Sequence, residues 1–287
     1  IWRTDGTESG TTLFKDIYSG SNSSGVGNLT VVGSYIFFTA NDGTNGFELW
    51  KSDGTESGTS LIKNINSGSE NAFSSPGNSL LPLSNIGNTI YFLANNGTNG
   101  FELWKSDGTE SGTSLVKDIN SGSSSSGDFV SMTVLNSTLI FIADDGSHGY
   151  ELWKTDGTES GTSLIKDINT GTLDPNGTGR SVWRIPTVLN DYAYFFAYNS
   201  SGDYELWRTD GSESGTSLVK NINSSGSSSG SVLGVLDNKL FFSADDGSNG
   251  AELWITDGTE SGTSLVKDIN PGSSSSTPTG GFVYKDY

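Results

Sequence analysis

The sequence predicts an all-β fold, a β-propeller of four-stranded antiparallel blades. The first choice is six blades, the last shared by the N- and C-termini. Three observations predict it. The stretch "FELWKSDGTESGTSLIKNI" (Phe47 to Ile65) recurs with little change along the 287 residues. Each recurrence sits in a unit of four short strand-like runs joined by glycine turns. Those runs carry apolar residues on both faces, which suits small sheets stacked face to face rather than sheets wet on one side.

The repeat sets the organisation. Its tryptophans are Trp2, Trp50, Trp104, Trp153, Trp207 and Trp254, spaced 48, 54, 49, 54 and 47 residues apart. A period of about 50 falls in the range of propeller blades. In the first complete unit, Asn28 to Val32 reads as strand one and Tyr35 to Ala40 as strand two. Phe47 to Ser52 reads as strand three and Thr59 to Ile65 as strand four. All four are rich in β-branched and aromatic residues. Between them "GS", "NDGTNG" and "DGTESG" are turn sequences, in which Gly supplies positive φ and Asp or Asn caps the turn. The uneven spacing falls in Ser/Gly-rich stretches after each "KDI" or "KNI", as expected of exposed loops.

Complete units are expected at about residues 26–65, 76–119, 128–168, 180–222 and 230–269, all within one domain spanning 1–287. Residues 1–17 read as strands three and four of a further unit, and Gly280 to Tyr287 as its first strand. A five-bladed ring with flanking strands, or a piece of a longer array, fits the same repeats. The chain opens in mid-repeat, so further residues are expected before Ile1, any targeting signal among them.

Composition narrows the function. Aromatic content of 11% with regular patterning excludes a disordered chain. There are 33 Asp plus Glu against 15 Lys plus Arg, a net charge of -18. That charge repels phosphate backbones and argues against nucleic acid as a partner. It suits solubility or attraction for cations. The absence of cysteine excludes disulfides, thiolate metal sites and a cysteine nucleophile. No apolar run reaches the length that spans a membrane, so direct insertion is not expected.

The repeated residues read first as architecture. The six tryptophans are expected to fill the space between adjacent blades, each burying roughly 150–250 Å². In the turn "DGTESGT", Asp53, and by repetition Asp107, Asp156, Asp210 and Asp257, accepts backbone N–H bonds. Gly54 and Gly58 take positive φ, and Thr55 and Thr59 bond within the loop. The turn is distantly similar to the Asp-box hairpin of sialidase-type propellers. The lysines of the last strand (Lys63, Lys117, Lys166, Lys220, Lys267) read as edge charges that discourage aggregation.

Candidate ligand residues lie where the copies disagree. The turns at Asp144-Asp145 and Asp245-Asp246 pair two carboxylates, and these four are the candidate Ca2+ ligands. No cofactor is required. Trp183 belongs to no repeat and follows a long insertion, so it is the ligand-contact candidate, with core packing as the favoured alternative reading. His148 sits in one turn with no evident partner motif. No GxSxG, HExxH or nucleotide-binding glycine loop in strand–helix context appears.

The motif Glu-Leu-Trp-x-x-Asp-Gly-Thr, at Glu48–Thr55, Glu102–Thr109, Glu151–Thr158 and Glu252–Thr259, resembles the ELWxxDGT repeat proteins. Ser212 replaces Thr in another copy, and Ile1 stands at the Leu position of the first. These are a bacterial family of exported or surface-associated chains. The resemblance covers essentially the whole chain and implies export and a propeller-like fold, with little about ligand. The expected function is a non-enzymatic extracellular structural or adhesive module, whose partners are copies of itself or surface glycans and proteins. A multivalent lectin is the alternative, by fold-level analogy with five-bladed tachylectin-type propellers. A glycan hydrolase using two turn carboxylates is the third reading.

Overall fold

A computed structural model describes residues 1–73, 83–127, 132–170 and 186–279. Among them every regular element is a strand. Among the described residues there are five four-stranded antiparallel sheets and one two-stranded sheet, each strand pairing with its neighbour in sequence. The chain is therefore all-β and built of propeller-type blades. Among the described residues no helix is long and apolar enough to cross a membrane.

The first complete blade comprises Gly27–Val32, Tyr35–Asn41, Phe47–Ser52 and Ser60–Lys63. The four expected strands are all present, with shifts of one or two residues at their ends. The second blade runs from Ser84–Ile86 to Ser114–Lys117, and the third from Met132–Leu135 to Ser163–Lys166. The fourth runs from Thr187–Leu189 to Ser217–Lys220, and the fifth from Ser231–Leu236 to Ser264–Lys267. At the start of the chain Trp2–Arg3 pairs with Thr12–Leu13 to form the two-stranded sheet. The strand expected at Gly280 to Tyr287 lies outside the described residues.

Each blade carries the same irregularity. In the first, Leu49 pairs with Lys63 and Trp50 with Leu61, so Ile62 is an extra residue on the outer strand. The third, fourth and fifth blades repeat the shift between Leu152 and Trp153, Leu206 and Trp207, and Leu253 and Trp254. A bulge bends its strand and re-aims a side chain. Here it turns Ile62, Ile165 and Val219 into the interior, where each is buried.

The chain forms two compact units, Ile1–Val130 with Gly157–Glu159, and Ser131–Asp156 with Ser160–Tyr287. In the first unit, Trp50 packs with Phe38 and Ala40 of its own blade and with Ile1 and Ile17 of the N-terminal segment. In the second, Trp207 of the fourth blade packs against Leu152, Ile165 and Ile168 of the third. Trp254 of the fifth blade packs against Leu206, Val219 and Ile222 of the fourth. One arrangement recurs: a tryptophan from strand three enters the apolar face around the outer strand of the preceding sheet. Burying an aromatic side chain in this way contributes about 2–3 kcal/mol per copy.

The Ser/Gly-rich connections are less exposed than their composition suggests. Ser228 is buried; its amide donates to the Tyr204 carbonyl at 3.0 Å and its own carbonyl accepts from Asp245 at 2.7 Å. It thus joins the fourth blade to the fifth. Ala72 does the same in the first unit, between Phe47 (3.0 Å) and Asn95 (2.9 Å). A buried backbone group needs a partner, and these connections find theirs on two blades at once.

Candidate functional site

The hairpin between strands three and four is a self-contained hydrogen-bonded staple. Asp53 Oδ1 accepts from the Thr55 amide at 2.9 Å and from the Thr55 hydroxyl at 2.7 Å. The Gly58 amide donates to Thr55 Oγ1 at 2.9 Å, and the Thr59 hydroxyl donates to the Thr55 carbonyl at 2.6 Å. Asp107, Asp257 and Asp210 repeat this, the last with Ser212 in place of Thr. The Thr55 hydroxyl first, then its amide, holds the Asp53 carboxyl below its ordinary value. The same causes act on Asp107 and, through Ser212, on Asp210.

The two glycines of this turn have different reasons. Gly54 takes φ +88°, the left-handed region expected of it. Gly58, expected to do likewise, has no positive φ. Its Cβ would stand 2.0 Å from Asp53 Oδ1, so glycine is there to leave room for the carboxylate. Gly161 makes the same room for Asp156, at 2.1 Å.

Sequence reasoning passed over the glutamate that opens the motif. Glu48, Glu102, Glu151, Glu205 and Glu252 are all buried. Glu48 Oε2 accepts the Ile65 amide at 3.0 Å and Oε1 the Asn66 amide at 3.1 Å. Glu102 takes the amides of Ile119 (3.0 Å), Asn120 (3.3 Å) and Ser126 (3.0 Å), and the Ser126 hydroxyl at 2.6 Å. Glu205 accepts Ile222 and Asn223, and Glu252 accepts Ile269 and Ser276. Each glutamate latches the chain where it leaves strand four. This is why that strand ends at Lys63, before the expected Ile65. Burial pushes Glu48 and Glu102 up to about 7, against the pull of these amides and, at Glu102, of the Ser126 hydroxyl. The signal was available: a carboxylate inside a strand apolar on both faces must be hydrogen-bonded.

The candidate calcium ligands serve as turn caps. Asp144 Oδ1 accepts Gly146 N–H at 2.7 Å, and Asp145 Oδ1 accepts Ser147 (2.9 Å) and His148 (3.0 Å). His148 does have a partner: its Nδ1 lies 2.8 Å from Asp145 Oδ2. That hydrogen bond raises the His148 pKa above its ordinary value. Asp245 Oδ1 accepts Gly247 at 2.7 Å, and Asp246 accepts Ser248, Asn249 and the Asn249 side chain at 2.8–2.9 Å. Among the described residues no three His, Cys, Asp or Glu side chains come together as metal ligands do. Trp183 lies outside the described residues.

Of the motif tryptophans, Trp50, Trp104, Trp153 and Trp254 are buried, Trp207 is half-buried and Trp2 is exposed. Three of the outer-strand lysines, Lys63, Lys166 and Lys220, differ from their reading as edge charges. Lys63 Nζ donates to the Thr113 carbonyl at 2.8 Å, Lys166 to Thr216 at 3.0 Å and Lys220 to Thr263 at 2.8 Å, each on the next blade. Lys154 and Arg208, on third strands, reach Gly211 and Gly258 in the same way at 2.8 Å.

The fourth blade departs most from the repeat. Its second turn is capped by Asn199, whose Oδ1 accepts the Ser201 and Asp203 amides. Half-buried Tyr198 and Tyr204 flank it with ring centroids 4.6 Å apart.

No protein-family model and no curated protein matches the chain. Solved structures are similar to it at low identity. TolB from Acinetobacter baumannii is 15% identical with TM-score 0.39, over 78% of this chain and 50% of that one. Putative TolB from Agrobacterium tumefaciens is 11% identical with TM-score 0.39, over 86% and 82%. Prolyl oligopeptidase B from Galerina marginata is 11% identical with TM-score 0.47, over 82% and 32%. The chain thus spans half the length of the Acinetobacter protein and about a third of the oligopeptidase. The fold stands on the strands themselves, and nothing about activity is carried over.

Proposed function

We propose that the protein is a non-enzymatic extracellular module with a structural or adhesive role. One observation carries the reading. The side chains that repeat from blade to blade are engaged within the chain: the glutamate on loop amides, the aspartate on its own turn, most of the tryptophans in packing between sheets. Repetition of this kind sums stability over neighbouring units, as a scaffold requires. The net charge of -18 supports a well-hydrated surface that avoids nucleic acid. Placement outside the cell rests on the likeness of the Glu-Leu-Trp-x-x-Asp-Gly-Thr repeats to exported chains.

The lectin alternative has one feature in its favour, the Tyr198–Tyr204 ring pair beside Asn199 and Asp203. Aromatic faces next to amide and carboxylate groups are the chemistry that receives a sugar. A glycan array probed at high protein concentration separates the two. The scaffold reading expects a blank array. Saturable binding of one glycan class, lost in Tyr198→Ala, would overturn it in favour of the lectin. Protease shaving of intact cells that make the protein should release its fragments; full protection until lysis would contradict the extracellular placement.

A further inference from the structure

The turn between strands two and three ends on a residue pair with chemistry of its own. In three blades the pair is Asn-Gly: Asn45-Gly46, Asn99-Gly100 and Asn249-Gly250. The fold dictates the glycine. Gly46, Gly100 and Gly250 take φ of +74°, +71° and +69°, and each backs onto the connection that follows strand four. A Cβ there would lie 2.3 Å from the Glu70 carbonyl oxygen, 2.4 Å from that of Ser124 and 2.8 Å from the Ser274 carbonyl carbon. The same lack of a side chain lets the glycine nitrogen reach the asparagine amide carbon. Asparagine is accordingly one of the thermolabile residues.

What holds the amide away from that nitrogen differs between blades. Asn45 is tied at both ends: Nδ2 donates to Asp42 Oδ2 at 2.7 Å, and Oδ1 accepts from Asn64 Nδ2 at 2.8 Å. Asn99 is tied at both ends too: Oδ1 accepts from Asn96 Nδ2 at 2.9 Å, and Nδ2 donates to Asp118 Oδ2 at 2.8 Å. Asn249 keeps one tie, from Nδ2 to Asp246 Oδ2 at 2.8 Å, and its Oδ1 has no donor among the described residues. The cause lies within its own blade. Asp268 stands where Asn64 stands in the first, and an ionised carboxylate has no hydrogen to give. In the neighbouring pair Asn96-Gly97 the glycine amide is engaged on Asn95 Oδ1 at 2.7 Å. The Gly250 amide has no acceptor among the described residues.

We propose that Asn249 is a site of covalent self-modification, the most reactive of the three pairs in the folded chain. The Gly250 nitrogen attacks Asn249 Cγ and a cyclic imide closes. The bond from Cγ to Nδ2 breaks, and that nitrogen leaves as ammonia with the proton given up by the Gly250 amide. Water then adds to one of the two imide carbonyls and opens the ring to aspartate or isoaspartate. No oxidant or reductant takes part, and loss of ammonia makes the change one-way. The product reverses the remaining tie. Where an amide donated to Asp246 at 2.8 Å, a second carboxylate now faces it, so attraction becomes like-charge repulsion and the turn loses its cap.

The test is ageing of the folded chain at mildly alkaline pH beside a sample kept in urea, with peptide mapping by mass spectrometry to read each asparagine. In urea the ties are gone, and the three pairs should convert at similar rates. In the folded chain Asn249 is expected to convert roughly two- to tenfold faster than Asn45 and Asn99, the effect of one hydrogen bond fewer on the reacting amide. Asp268→Asn restores the donor that Asn64 supplies in the first blade, and should slow Asn249 to the rate of Asn45. Asn64→Asp is the reverse exchange, and should speed Asn45 to the rate of Asn249. A melt followed by circular dichroism checks that each variant folds, and the two lie in different blades, so either one alone decides. Equal rates at the three sites of the folded chain would overturn the proposal. So would faster conversion at Asn45 or Asn99, or a folded Asp268→Asn chain in which Asn249 reacts as fast as before.

Discussion

At the scale of single residues, the motif divides between caps, spacers and latches, and each role makes its own prediction. Gly112 is a spacer: a methyl there would lie 2.0 Å from Asp107 Oδ1, although the backbone itself has no positive φ. Gly112→Ala is expected to cost about 1–3 kcal/mol, the range for forcing atoms into filled space. In an Asp107→Ala background the same change should be neutral or stabilising by up to about 1 kcal/mol, because it then only stiffens the unfolded chain. Urea midpoints of the four proteins decide it; equal costs in both backgrounds would remove the spacer role. Two of the latching glutamates, Glu48 and Glu102, predict a pH effect of definite sign. Burial raises Glu48 and Glu102 from 4.5 to about 7, so the folded state holds their protons more tightly than the unfolded one. Their contribution to stability is full below about pH 4.5 and is lost as pH rises towards 7. The turn aspartates act oppositely: Asp53 and Asp107 are lowered from 3.8, so their contribution is lost as pH falls below that value. Melting temperature should therefore decline from about pH 5 to pH 8, and Glu102→Gln should flatten that decline. An unchanged slope in the variant would refute the assignment.

At the scale of elements, the strands were legible in the sequence because glycine turns and β-branched runs specify them locally. Tyr35–Asn41 and Phe47–Ser52 agree with the expected strands to within a residue. The fourth strand was overread, since its end is set by Glu48, a residue more than a dozen positions earlier in the chain. The bulge at Ile62 was not visible either. It is a matter of register between two strands, and composition carries no register. The lysines were read on their own strand, whereas their acceptors lie on the next blade, about 50 residues away. That contact is testable. Lys220→Met keeps the aliphatic stem but leaves the Thr263 carbonyl without its charged donor, and is expected to cost about 1–2 kcal/mol. Lys267→Met, made where no acceptor lies among the described residues, should stay within about 0.5 kcal/mol in dilute solution. Equal losses at both positions would argue against the link.

At the scale of the whole molecule, repetition made the blade architecture readable and left the ligand chemistry unread. The repeat specified where strands, turns and tryptophans recur. The departures from it, Trp183 and the long insertions, fall largely outside the described residues, and the aspartate pairs cap their own turns. A charge of -18 on one chain repels itself. Raising salt from about 20 to about 300 mM should therefore raise the melting temperature by a few degrees, as screening takes hold. A flat or falling response would mean that the acidic groups are already neutralised by bound cations. The central claim is that the repeated motif is architecture, and the buried glutamate puts it to the sharpest test. Glu102→Ala strands the amides of Ile119, Asn120 and Ser126 without their acceptor. The measurement is urea-induced unfolding of this variant beside the wild type. The expected result is a loss of about 3 kcal/mol or more, the scale of leaving three buried amide donors without an acceptor. A variant as stable as the wild type would contradict the account.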